Sequence, residues 1–194
     1  PSSLTFANQV TGTASVAQNV TVTNTGTGTL SITGATLSGA NPADFTLTNG
    51  CGTTLAQGAS CTIAVKFAPT STPAGAKSAT LTVSTNGGSP TSSLSGTSVT
   101  ALAVVNVTPL SLTYSNVAVN KTSSQSVSVS NTGNTSAAIS SKAITGTNSN
   151  QFSITTGTGS CGTSIGAGAT CTVTVRFKPT STGNKVATLT IKTA

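Results

Sequence analysis

The sequence is written twice, and this limits the folds open to it more than any other feature. Pro1-Ser-Ser-Leu-Thr-Phe6 returns as Pro109-Leu-Ser-Leu-Thr-Tyr114, and Asn24-Thr-Gly26 as Asn131-Thr-Gly133. Cys51-Gly-Thr-Thr-Leu-Ala-Gln-Gly-Ala-Ser-Cys61 returns as Cys161-Gly-Thr-Ser-Ile-Gly-Ala-Gly-Ala-Thr-Cys171, and Phe67-Ala-Pro-Thr-Ser-Thr72 as Phe177-Lys-Pro-Thr-Ser-Thr182. The offsets stay between 107 and 110 residues, so each copy is one structural unit. We expect two domains, 1–99 and 100–194.

Within each copy the period is two. Val20 and Val22 alternate with threonines, and Ile63, Val65 and Phe67 alternate with Thr62, Ala64 and Lys66. Val127/Val129 and Val173/Val175/Phe177 repeat this in copy two. Such alternation of β-branched residues reads as half-buried strands. Asn24-Thr-Gly26, Asn49-Gly50, Gly75 and Asn86-Gly87 punctuate the runs, and no helix-length stretch has a 3.6 period. Copy one reads as seven strands, near 3–6, 18–24, 29–37, 43–48, 60–67, 77–84 and 91–97. Seven short strands in about 100 residues is the arithmetic of an immunoglobulin-like β-sandwich. The expected fold is therefore all-β: two tandem seven-stranded immunoglobulin-like sandwiches. Ala194 aligns with Asn86, so the second sandwich is expected to lack its last strand in this chain.

The composition excludes most chemistry. Asp44 is the only acidic side chain, and histidine is absent. General acid–base catalysis draws on His, Asp and Glu, so no enzymatic activity is expected. Metal sites need clustered carboxylates, His or Cys in ligand spacing, which the chain does not offer. No cofactor is expected. Gly157-Thr-Gly-Ser-Cys-Gly162 satisfies G-x-G-x-x-G, but it lies in a β pattern with no acid downstream. Gly162-Thr-Ser-Ile-Gly166 satisfies G-x-S-x-G without a histidine to act as base. Both arise from a composition in which 71 of 194 residues are Ser or Thr. The same richness accounts for the sequons at Asn19, Asn106, Asn120 and Asn134.

The net charge of +7 comes from eight scattered Lys and Arg without interleaved aromatics, which argues against nucleic acid. Weak attraction to anionic polysaccharide or lipid remains compatible with it. No apolar run approaches the ~18 residues of a membrane span. The sequence opens at Pro1 within the repeat and shows no signal peptide, as expected of a mature protein or a slice of a longer one. The cysteines pair by spacing, ten apart in both copies, and read as intradomain disulfides Cys51–Cys61 and Cys161–Cys171. Disulfides imply an oxidising, extracytosolic compartment. Each closed loop should stabilise its domain by roughly 2–3 kcal/mol in the chain-entropy model.

The ordered motifs Leu4-Thr-Phe6, Val20-Thr-Val-Thr-Asn-Thr-Gly26, Ala43-Asp-Phe45, Cys51-Gly, Gly58-Ala-Ser-Cys61 and Phe67-Ala-Pro-Thr70 carry a resemblance. It continues through Ser78-Ala-Thr-Leu-Thr-Val83 and Leu94-Ser-Gly96. The chain resembles the bacterial choice-of-anchor D repeats, which are related to the ASPM/SPD-2/Hydin immunoglobulin-like family. Copy two departs at Asn150-Gln-Phe152, where the aspartate is replaced. The resemblance implies seven-stranded sandwiches in tandem in large exported bacterial proteins, and brings no catalytic residue with it.

The function expected is a structural module of an exported surface or extracellular fibre protein, either a tandem spacer or a filament-forming unit. The alternative is an adhesive or glycan-binding module. Expected partners are neighbouring repeats or identical subunits, since a sandwich without its end strand can accept a strand from a following segment or from another subunit. The β-prone, Gly- and Pro-free stretch Ser98–Thr108 is expected to carry the last strand of copy one straight into copy two. Peptide mapping without reduction should recover Cys51–Cys61 and Cys161–Cys171 and neither free thiols nor a link between copies.

Overall fold

The computed structural model describes residues 1–194 and separates into two compact units, Pro1–Thr100 and Ala101–Ala194. In the first, the alternating runs become strands β1 (Ser3–Thr5), β2 (Gln9–Val10), β3 (Gln18–Thr23), β4 (Leu30–Ser38), β5 (Phe45–Asn49), β6 (Thr54–Leu55), β7 (Ser60–Phe67), β8 (Gly75–Thr85) and β9 (Thr91–Val99). One sheet has the order β1-β9-β8-β4-β6, with β2 also on β9, and the other has the order β3-β7-β5. The seven strands read from sequence are all present. The two-residue strands β2 and β6 are additions, too short to show a period. β9 is antiparallel to β8 and parallel to β1. Side chains that alternate inward from both sheets make the core: Leu4, Phe6, Val20, Ile32, Phe45, Ile63, Val65, Phe67, Leu81 and Leu94 are buried. Phe6, Phe45 and Phe67 cluster at centroid separations of 5.0–6.1 Å.

The second unit contains β10 (Val105–Thr108), β11 (Ser123–Asn131), β12 (Ala137–Thr145), β13 (Phe152–Thr155), β14 (Ser164–Ile165), β15 (Thr170–Phe177) and β16 (Thr188–Thr193). The sheets run β10-β11-β15-β13 and β14-β12-β16. Tyr114, Phe152 and Phe177 form the matching aromatic cluster, at 4.6–6.0 Å. The expectation of one strand running through Ser98–Thr108 is corrected: β9 ends at Val99 and β10 begins at Val105. The intervening backbone has other partners. The Asn131 and Asn134 side chains accept from the N–H groups of Val104 and Leu102, at 3.1 and 2.8 Å. The Thr132 and Asn134 amides donate to the carbonyls of the same two residues. A Cβ on Gly133 would stand 2.1 Å from the Leu102 carbonyl oxygen, so only glycine allows this approach.

Both disulfides are intradomain, Cys51–Cys61 and Cys161–Cys171, with Cα separations of 5.1 and 4.9 Å. Each ties the loop after β5 or β13 to the start of β7 or β15. The Asn of each Asn-Thr-Gly motif is more than a chain breaker. Asn24 and Asn131 are buried. Asn24 donates to the carbonyls of Gly28 and Leu55 and accepts from Gly26 N–H. Asn131 repeats this with Thr135, Ile165 and Gly133. One side chain thus satisfies the backbone of a turn and of the loop facing it.

Asp44 closes a third such junction. It follows Pro42 in a one-turn 3-10 helix, Pro42–Asp44, and is fully buried. Its carboxylate accepts from the amides of Thr70 and Ser71, at 2.8 and 2.9 Å, and from the Ser71 hydroxyl. The Lys77 ammonium, also buried, lies 3.9 Å away and donates to the Pro73 carbonyl. Burial opposes ionisation of Asp44. The hydrogen bonds from Ser71 and Thr70, with the nearby Lys77 charge, outweigh it and hold the carboxyl below its usual range. In the second unit Gln151 takes this place, accepting from Thr180 N–H at 3.0 Å.

A carboxyl with a lower pKa folded than unfolded contributes stability that is complete above its unfolded value, about 4. That contribution is lost as pH falls through the folded pKa. The first unit should therefore lose stability on acidification below about pH 4, and Asp44→Asn should flatten that acid limb in urea melts. Asp44→Ala, which leaves the Thr70 and Ser71 amides without their acceptor and the buried Lys77 without its counter-charge, should cost about 3 kcal/mol at neutral pH. Asn131→Ala should destabilise the second unit by about 2 kcal/mol, through the amide and carbonyl groups it orphans.

Candidate functional site: an open groove in the second unit

The two units share the repeat's motifs but close differently. In the first, β9 lies between β1 and the outer edge of β8. Leu94 of β9 pairs with Leu4 on one side and Ala79 on the other. Phe6 N–H donates to the Ser95 carbonyl, Ser93 N–H to Ser2 and Val83 N–H to Pro90. Gly96 lies against the Phe67 ring, where a Cβ would come within 2.7 Å of two ring carbons. Beneath β9, Phe67 and Leu81 are fully buried.

In the second unit β16 pairs with β12 on one side and with no strand on the other. The counterpart of β1, Ser111–Thr113, forms no strand, and neither do Gly183–Ala187, the counterpart of the first five residues of β8. The expectation that the last strand is missing from this unit holds, and its consequences spread to both flanking segments. Between them lies a cleft of about 1330 Å³ whose floor includes Val127, Phe152, Val175, Phe177, Leu189 and Ile191. Leu112, Leu189 and Ile191 are half-buried, although Leu4, Leu81 and Val83 at the same places are buried. On the rim, Leu110 is 92% exposed and Val186 71%.

Tyr114 packs on Phe152 and Phe177, as its position opposite Phe6 in the repeat suggests, and its hydroxyl donates to the Val175 carbonyl at 2.7 Å. Burial pushes its phenol up. Of the residues singled out in the sequence, the four cysteines staple loops away from this cleft and do not line it. No group of three or more His, Cys, Asp or Glu gathers anywhere in the structure. No helix is long and apolar enough to cross a membrane. Sequence reasoning located the missing strand but not the exposed rim at Leu110 and Val186. The signal was present, since both residues align with positions flanking β9 contacts in copy one.

Comparison with known proteins divides the chain at the same place as the repeat. Residues 7–97 match the family model of the HYDIN/CFA65/VesB-like, Ig-like domain, and residues 103–194 match that of Cep192 domain 4. No curated protein sequence matches the chain. Among solved structures, it is similar to the Vibrio cholerae VesB protease at 30% identity, over 50% of this chain and 30% of that one, with a TM-score of 0.36. It is also similar to the secreted serine protease VesC of Vibrio cholerae, at 11% identity over 97% and 49%, with a TM-score of 0.38. A third likeness is to the CsuC–CsuE chaperone–tip adhesion subunit pre-assembly complex of Acinetobacter baumannii, at 7% identity over 98% and 97%, TM-score 0.34. The chain spans about a third of the VesB structure and half of VesC. TM-scores this low carry no argument about function. The two family-model matches, one per repeat, support an Ig-like repeat family for this chain.

Proposed function

We propose that the chain is a non-enzymatic structural module, a pair of Ig-like repeats of the choice-of-anchor D type that acts as a spacer in an exported bacterial surface or fibre protein. One observation carries this reading. The only side-chain carboxylate, Asp44, is fully buried and committed to the Thr70 and Ser71 backbone. Of the other buried polar side chains, Asn24, Asn131, Gln151, Lys77 and Ser98 likewise bond the chain's own backbone, and the Ser92 hydroxyl has no partner. The polar chemistry is spent on holding loops to strands. Two disulfides support an oxidising destination, and the Ser- and Thr-rich faces keep the surface hydrated with few charges.

The adhesive reading has less support. Sugar sites favour an exposed aromatic platform. The single tyrosine and all five phenylalanines belong to the two aromatic clusters. A glycan array probed with the 194-residue protein should show no saturable binding. A specific glycan bound with a measurable Kd would overturn the spacer assignment in favour of adhesion.

A further inference from the structure

The dipeptide Asn-Gly occurs twice in the chain, at Asn49-Gly50 and Asn86-Gly87, and the fold treats the two differently. An asparagine followed by glycine is open to attack by the next backbone nitrogen, because no Cβ hinders the turn of the chain that brings it in. Asn86 and Gly87 are the exposed central residues of the turn Thr85–Gly88, which joins β8 to β9. Asn86 Oδ1 accepts from Ser31 N–H at 2.9 Å, and Asn86 N–H donates to the Ser31 carbonyl at 3.1 Å. Gly87 N–H donates to the Thr85 hydroxyl at 3.1 Å, and that hydroxyl donates to the Gly88 carbonyl at 2.6 Å. A fixed donor on the side-chain carbonyl oxygen stabilises the negative charge that gathers there when the carbon is attacked. Asn49 Oδ1 has such a donor too, Cys51 N–H at 3.0 Å, so the two sites differ in the nucleophile. Gly50 N–H donates to the Thr62 carbonyl of β7 at 3.0 Å, beside the paired Asn49 and Ile63. A Cβ on Gly50 would stand 2.7 Å from that carbonyl oxygen, and the next residue is tied to Cys61. The Gly50 nitrogen is locked into the sheet, whereas the Gly87 nitrogen is held only by a side-chain hydroxyl in an exposed turn.

We infer that Asn86 is a self-modifying site, which converts to aspartyl and isoaspartyl forms in the folded protein while Asn49 is kept intact. The Gly87 nitrogen bonds to Asn86 Cγ, the Cγ–Nδ2 bond breaks, and ammonia leaves with the proton given up by the Gly87 amide. Water then opens the succinimide ring. Cleavage of the new N–Cγ bond yields aspartate, and cleavage of the original backbone C–N bond yields isoaspartate. One water is consumed and one ammonia released, with no change in oxidation state. At Asn49 the same step has to break the Gly50–Thr62 bond and draw the chain away from a sheet edge that a disulfide staples. The two products differ in consequence. Aspartate at position 86 still offers an oxygen to Ser31 N–H and keeps the clamp between the hairpin and β4. Isoaspartate carries the backbone through Cγ, lengthens the turn by one atom and takes the acceptor away from Ser31. Either product gives the protein its first exposed side-chain carboxylate, since Asp44 is fully buried, and lowers the net charge of +7 by one. The inference is independent of the spacer reading.

The test incubates the intact 194-residue protein at neutral pH and follows it by isoelectric focusing and by peptide mapping with mass spectrometry. A more acidic band should grow with time, and its modified residue should be Asn86. Asn86 should convert at least about tenfold faster than Asn49, the factor that one well-made backbone hydrogen bond sets. In urea above the unfolding transition the two sites should convert at the same rate, because only the fold distinguishes them. Gly87→Ala should slow conversion about tenfold by restoring the Cβ that hinders the attack. The variant is compatible with the turn, since that Cβ would meet only the end of the Leu30 side chain, at 3.0 Å. Three results would overturn the inference: equal rates at Asn49 and Asn86 in the folded protein, an Asn86 that stays intact while the unfolded chain converts, or a rate unchanged in folded Gly87→Ala. The first two are read on the unsubstituted protein and stand whether or not the variant folds.

Discussion

Strand β9 is the part on which the first sandwich depends. It bonds on one side to β8 and on the other to β1, so a single strand completes one sheet and covers the core beneath it. With three phenylalanines and otherwise aliphatic side chains of modest size, the core has little apolar area to spare. The second unit shows the effect of lacking that cover. The same residue types that are sealed in the first unit become half-buried, and the β1 counterpart has no ladder to join. Strand order here is a condition for burial as well as a result of it.

Buried polar groups serve the same end by different chemistry. Asn24 and Asn131 hold a turn to the loop opposite, and Asp44 and Gln151 hold a short 3-10 turn to the segment after β7 or β15. A carboxylate and an amide fill equivalent places because both present an oxygen to backbone amides. The carboxylate also compensates a buried ammonium. Its replacement in the second unit accompanies a Lys185 that is only half-buried.

Much of this was legible in the sequence. The period-two runs around Val20, Ile63 and Val173 gave strands in place, and equal cysteine spacing gave the staples. The offset between copies also exposed the missing strand. What stayed hidden depended on contacts between distant residues. Asn24 reads as a turn former because its burial depends on Leu55, thirty-one residues away. Asp44 reads as an isolated acid because Ser71, after β7, and Lys77, in β8, approach it only when the two sheets have packed together. The connection at Thr100–Val104 reads as continuous strand from its composition. The hydrogen bonds offered by Asn131 and Asn134 outcompete a ladder there.

The parallel pairing of β1 with β9 has a mechanical meaning. The chain enters the first unit at the start of β1 and leaves it at the end of β9, and the two strands lie side by side in the same direction. Tension applied along the polypeptide pulls them in opposite senses, parallel to their axes. The bonds from Phe6 to Ser95 and from Ser93 to Ser2 are then loaded together instead of parting one at a time. A tether built this way resists stretching by shear, and its strength under load is set by the length of that patch rather than by the overall folding free energy.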